Sequence, residues 1–216
     1  MASELIRSER TGLLLVDPYN DWLSDEGKLW PRIRDVAGKV NLLENLSELL
    51  NAVRGARIQV FVVPHRRWEP GDYEDWLYPN PTQELMSKTH AFARGEWGGE
   101  WYPPLAPQRG DVIVKEHWAQ SGFANTDLDF QIKQRGITHL IVAGLLANTC
   151  IESTARAAME LGYHVTLVRD ATVSFSAAMM NAAHALNGPT YAHDIVDVAE
   201  IVSRVATATT PLLARG

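Results

Sequence analysis

Val142-Ala-Gly-Leu-Leu-Ala-Asn-Thr-Cys150-Ile-Glu-Ser-Thr-Ala-Arg156 is the stretch on which the reading of the fold turns. A β-branched apolar run, Leu140 to Val142, stops at Gly144, and a short turn carries the chain's only cysteine to the start of a helical pattern. That pattern (Ile151, Thr154, Ala155, Ala158, Met159) ends at Leu161-Gly162, where glycine can take the left-handed conformation that closes helices. At the head of such a helix, unpaired N–H groups and the helix dipole favour negative charge. The expectation is therefore a cysteine with a lowered pKa. A lone cysteine is more often a small buried hydrophobe, and only its place between strand and helix favours a chemical role.

The segments on either side repeat the strand-then-helix order. Gly12-Leu-Leu-Leu-Val16 suits a strand buried on both faces and ends in Asp17-Pro18-Tyr19-Asn20-Asp21-Trp22. An aspartate there lies at the carboxyl end of a parallel strand, where α/β sheets bind ligands, although an Asx turn or helix cap explains it equally well. An apolar stripe from Val36 to Val53 predicts one helix over 33–53, and Ile58–Val63 a second strand. Asp111–Lys115 reads as the third strand, Thr138–Val142 as the fourth and His164–Val168 as the fifth, with Tyr191–Val196 as a sixth at the sheet edge. Helices are expected over 128–135, 176–186 and 198–206. This alternation predicts a three-layer α/β/α fold with a mainly parallel, Rossmann-like sheet of about six strands, in a single domain over 1–216. The connection 64–110 is long, with a short helix near Thr82 to Lys88. Its Trp68, Trp76, Trp97 and Trp101 could line a pocket, pack on a second subunit or fold the loop on itself.

Composition narrows the function classes. A net charge of −6 gives no reason to expect nucleic acid or an anionic membrane as partner. One cysteine excludes an internal disulfide framework and suits a reducing compartment. The first residues carry acids and no apolar core of a signal peptide, and no run is long enough to span a bilayer. The expectation is a cytoplasmic protein with a small-molecule substrate.

Parallel topology would put the strand-end residues Asp17, Lys115 and Cys150 on one edge of the sheet. Hydrolysis of an amide through a thiol needs a proton acceptor, a charge stabiliser and a nucleophile, and these three residues would supply them in that order. Backbone N–H groups at the head of the Cys150 helix would hold the oxyanion.

Leu14-Leu-Val-Asp17, Val112-Ile-Val-Lys115, Ser121-Gly-Phe-Ala-Asn-Thr-Asp-Leu128, Gly144–Arg156 and Asp170-Ala-Thr172 together resemble the isochorismatase-like cysteine hydrolases. That superfamily includes nicotinamidase, N-carbamoylsarcosine amidohydrolase, ureidoacrylate and biuret hydrolases, and isochorismatase. The resemblance covers about residues 10 to 205 and implies the triad Asp17, Lys115 and Cys150. It also implies a cis peptide between Leu145 and Leu146, with the N–H groups of Leu146 and Cys150 as the oxyanion hole, and a homo-oligomer, dimer or tetramer.

Two departures from the pattern bear on substrate. Nicotinamidases bind a metal through Asp-x-His after the second strand, whereas this chain reads Val63-Pro64-His65, so no metal and no cofactor are expected. The segment between Lys115 and Ser121 is about two residues longer than in many relatives. Tyr19, Trp22, His65, His117, Trp118 and Phe123 are candidate pocket residues, with packing equally open for the aromatics and a surface position open for His65. Arg66 and Arg67 could bind a substrate carboxylate or stay solvated. The function expected is hydrolysis of a C–N bond in a small amide, ureide or carbamoyl compound. The alternatives are isochorismate hydrolysis and a non-catalytic thiol-based binding or sensor protein.

Overall fold

The apolar run Thr11–Val16 forms strand β1, every residue of it buried, in a computed structural model that describes residues 6–209. Along β1 and its neighbour β2 (Gln59–Val63) successive side chains feed opposite faces of the sheet. Leu13, Leu15, Val60 and Val62 join one apolar layer, and Leu14, Val16, Phe61 and Val63 join the other. That two-sided burial is why the strands read as unbroken hydrophobic runs.

Four further strands complete the sheet: β3 (Val112–Ile113), β4 (His139–Leu145), β5 (His164–Val173) and β6 (Asp194–Val196). The order is β3-β2-β1-β4-β5-β6, and every pairing is parallel. Helix α1 (Asn20–Leu23) follows β1, and α2 (Arg34–Lys39) and α3 (Leu42–Gly55) lead to β2. Next come α4 (Pro81–Thr89), α5 (Leu128–Lys133), α6 (Glu152–Glu160), α7 (Ala177–Asn181) and α8 (Val198–Thr209). Leu46, Leu50 and Val53 of α3 and Ile201 of α8 pack on one face of the sheet, and Leu128, Ile132, Ala155 and Ala158 of α5 and α6 pack on the other. Each fully buried Leu, Ile or Val adds about 1.5–3 kcal/mol.

The single helix expected over 33–53 is two helices. Asn41 between them is left-handed at φ +51°, a conformation that asparagine tolerates better than most residues. Strand β5 runs to Val173, beyond the expected Val168, after an irregularity opposite Val142 and Gly144. Regular pairing of β3 ends at Ile113, short of the expected Lys115.

The long connection is pinned rather than loose. Asn80 caps α4 reciprocally with Gln83, and the buried Asp21 carboxylate accepts the N–H groups of Lys28 (3.0 Å) and Phe92 (2.7 Å). Trp68 stacks on His90 and Trp101 on Tyr19, so these tryptophans fold the loop onto itself and onto the start of α1. Among the described residues, no helix is long and apolar enough to cross a membrane.

Candidate active site

Strand β1 pairs with β2 on one side and β4 on the other, so the chain leaves the sheet in opposite directions at the ends of β1 and β4. A crevice at that point is where open α/β sheets bind ligands. Gly144 lets the two strand ends close up: it takes φ +118°, and a Cβ there would collide with the Val16 carbonyl oxygen. Past it, the Leu145–Leu146 peptide is cis, as expected. One wide turn, Ala147–Ile151, then places Cys150 just ahead of α6.

Asp17 follows β1 in a left-handed conformation, its N–H donating to the Val63 carbonyl (3.1 Å). Its Oδ1 accepts the His65 N–H at 2.6 Å and lies 3.1 Å from His117 Nε2. One ligating atom each from Asp17, His117 and Cys150 lie within 4.8 Å of one another, and all three residues are buried.

The lysine expected beside Asp17 is elsewhere. Lys115 is exposed, and its N–H donates to Asp127 Oδ1 at 2.7 Å. Ladder pairing stops after Val114, and Lys115 and Glu116 loop out. The chain then rejoins the extension of β2, with His117 N–H donating to Pro64 O and Arg66 N–H to His117 O, both 2.9 Å. Glu116 anchors Arg67 (2.7 Å) and Arg94 (2.8 Å). Where the sequence carries about two residues too many before Ser121, the chain loops out, and His117 rather than Lys115 lies beside Asp17.

His117 takes that place. Its Nδ1 faces the Ala119 carbonyl at 3.0 Å and its Nε2 faces the Asp17 carboxylate.

The thiol departs from expectation. Burial, the facing Asp17 charge and a hydrogen bond with Asp17 push its pKa well above the ordinary value. The Thr149 hydroxyl and the Leu146 N–H favour the anion but do not outweigh them. At rest Cys150 is a thiol presented to a carboxylate.

These groups open onto a cavity of about 220 Å³, an enclosure for a small molecule. Trp22, Phe92 and Phe175 form part of its wall, Pro81, Thr82, Leu85 and Met86 of α4 another part, and His65, Leu146 and Thr149 lie by the cysteine. Of the candidate pocket residues, Trp22 and His65 therefore line it. Tyr19 is fully buried behind it, donating to the His65 carbonyl at 2.7 Å and stacking on Phe92. Trp118 lies under Arg66, and Phe123 packs on Tyr163 in the opposite apolar layer, so neither reaches the cavity. His117 stands behind Asp17. The α4 residues and Phe175 were missed, because nothing local marks which face of a loop helix turns inward.

The same oxygen, nitrogen and sulfur donors form a set that a soft divalent ion could take. Arg66 and Arg67 are neither solvated nor free. Arg66 pairs with Glu69 and Asp72, and Arg67 with Glu116.

Comparison with known proteins gives the family. Residues 11–196 match the isochorismatase domain. Ureidoacrylate amidohydrolase RutB of Variovorax paradoxus is 28% identical over 215 residues, covering 94% of this chain and 84% of that protein. The protein of the same name from Yersinia enterocolitica is 32% identical over 175 residues, covering 75% and 74%. A cysteine hydrolase from Pseudomonas syringae pv. phaseolicola superposes with a TM-score of 0.77 at 27% identity, over 96% of this chain and all of that one. The N-carbamoylsarcosine amidase of Thermoplasma acidophilum, at 23% identity, shares the fold with a TM-score of 0.65 over 88% of this chain and 96% of its own. With most of its length matched by the domain and its cysteine, aspartate and parallel sheet arranged in this way, the chain belongs to the isochorismatase family.

Proposed function

We propose that this protein hydrolyses the C–N bond of a small amide or ureide through a covalent thioester on Cys150. The observation that carries the reading is a buried thiol within 4.8 Å of an Asp17 carboxylate oxygen, both residues lining a small cavity. The amidohydrolase names of the relatives support the same bond class.

As the sulfur attacks the carbonyl carbon, its proton passes to Asp17, and the C=O electron pair becomes an oxyanion held by the N–H groups of Leu146 and Cys150. Collapse breaks the C–N bond, and protonated Asp17 returns the proton to the departing nitrogen, releasing ammonia or an amine. Water then attacks the acyl carbon, giving a proton to Asp17 and hydroxyl to the carbon; the C–S bond breaks, and Asp17 returns the proton to sulfur, regenerating the thiol. His117 is a positioning cation. It orients the Asp17 carboxylate, 3.1 Å away, and compensates the charge that develops on sulfur and oxygen. A raised thiol pKa fits this cycle, because the proton leaves only as the carbon is attacked. It does not fit a thiol sensor, which needs an exposed low-pKa thiolate. A reducing compartment such as the cytoplasm would keep the sulfur usable.

The exposed run Trp76-Leu77-Tyr78 supports assembly with further copies of the chain, which sedimentation would register as a dimer or tetramer. Ammonia release across a panel of small amides and ureides tests the activity, with Cys150→Ala protein as blank and mass spectrometry for the acyl adduct. Turnover that survives in Cys150→Ala sinks the reading.

A further inference from the structure

The cavity walls decide what else a substrate can carry. Trp22, Leu85, Met86, Phe92 and Phe175 present hydrocarbon, and among the described residues no lysine or arginine lines the cavity. The nearby arginines are committed. Arg67 pairs with Glu116 and lies over the Tyr19 and Trp101 rings, and Arg66 pairs with Asp72 and lies over Trp118. Arg94 holds Glu69 and Glu116. Exposed Arg32 stacks 4.7 Å from the centre of the Phe175 ring but is not part of the wall.

The polar end of the cavity offers acceptors. Asp17 is one. His65 is 2% exposed, and its Nδ1 faces the Arg66 carbonyl at 2.9 Å, so the ring hydrogen sits on Nδ1 and Nε2 is a lone pair. No group among the described residues donates to that nitrogen. Burial and the neighbouring His117 keep the ring neutral by lowering its pKa to about 4. A buried acceptor without a donor can accept a ligand N–H.

Resting on the amidohydrolase reading, we propose that the site selects an uncharged primary amide or monosubstituted urea with an apolar substituent and rejects one bearing a carboxylate. His65 Nε2 accepts a hydrogen bond from the substrate N–H, and the aromatic and α4 side chains take the substituent. A carboxylate in the same space would lose its water, meet no lysine or arginine in the wall and face the Asp17 carboxylate. This separates the chain from relatives whose name denotes a carboxylate-bearing ureide.

The test compares kcat/KM for matched pairs that differ by a methyl-to-carboxylate exchange: pentanamide against glutaramate, and butylurea against its ω-carboxylate analogue. The neutral member should lead by roughly a hundredfold. Leu85→Arg, which puts a cation into the wall, should shift the ratio toward the acid by about tenfold or more. His65→Leu should raise KM more than it lowers kcat, and His65→Gln, which keeps an acceptor, should recover part of the loss. Equal or better turnover of the acids overturns the inference, and so does an acid preference that vanishes in Arg32→Ala. If nothing is hydrolysed, calorimetry of the same pairs on Cys150→Ser protein still decides. Tighter binding of the neutral member keeps the specificity and refutes only the reaction, whereas equal or absent binding refutes the specificity.

Discussion

His117 Nε2 lies 3.1 Å from Asp17 Oδ1, in the place where the family pattern led us to expect a lysine ammonium. If its contribution is positive charge, His117→Lys should keep turnover within about tenfold of the parent. His117→Gln, similar in reach but neutral, should lose roughly a hundred- to a thousandfold in kcat. Steady-state kinetics of both variants would check this, and equal losses would mean that the imidazole shape matters rather than its charge.

Asp17 raises the Cys150 pKa through its charge and its hydrogen bond. Asp17→Asn should therefore lower the thiol titration midpoint, read by thiolate ultraviolet absorbance, while turnover falls by at least about a hundredfold. A thiol that ionises more easily yet works worse is the signature of a carboxylate acting as base.

His65 is held neutral, its pKa lowered from 6.5 to about 4, mainly by burial and then by the neighbouring His117. Between those values the unfolded chain binds a proton that the folded chain refuses. Stability is therefore complete above about pH 6.5 and falls as the pH drops toward 4, by about 3 kcal/mol for this group. His184, also lowered to about 4, acts in the same sense. Thermal unfolding at about pH 7 and pH 5 should show the loss, and His65→Gln should show a smaller one.

With Asp17, His117 and Cys150 atoms within 4.8 Å, added zinc should inhibit reversibly by binding the thiolate and imidazole. A chelator should reverse that inhibition and leave the activity of the untreated enzyme unchanged. Loss of activity on chelation would point instead to a metal that takes part in the reaction.

Gly98 packs directly on the Asp21 carboxylate, and a Cβ there would overlap it. Gly98→Ala should cost about 1–3 kcal/mol in urea unfolding and weaken substrate binding. The second effect follows because Asp21 also holds the backbone of Phe92, a wall of the cavity.

Much of this protein was legible in its sequence. Two-sided burial makes the strands Gly12–Val16 and Ile58–Val63 read as apolar runs, glycines punctuate the helices, and parallel order brings Asp17 and Cys150 to one edge. Those are local or topological consequences of residue pattern. The tertiary structure alone decided which side chain joins them, because two looped-out residues move Lys115 into solvent and return the chain at His117. It also decided the state of the thiol, since the helix-head position that lowers a pKa is local, whereas burial and a carboxylate from another strand raise it. The same holds for the cavity walls: α4 and Phe175 face the cysteine only because Asp21 and the stacked aromatics pin a long loop against the sheet edge. Pattern along a chain encodes burial and direction, but contact between distant residues depends on where the intervening chain leaves the ladder and where it comes back.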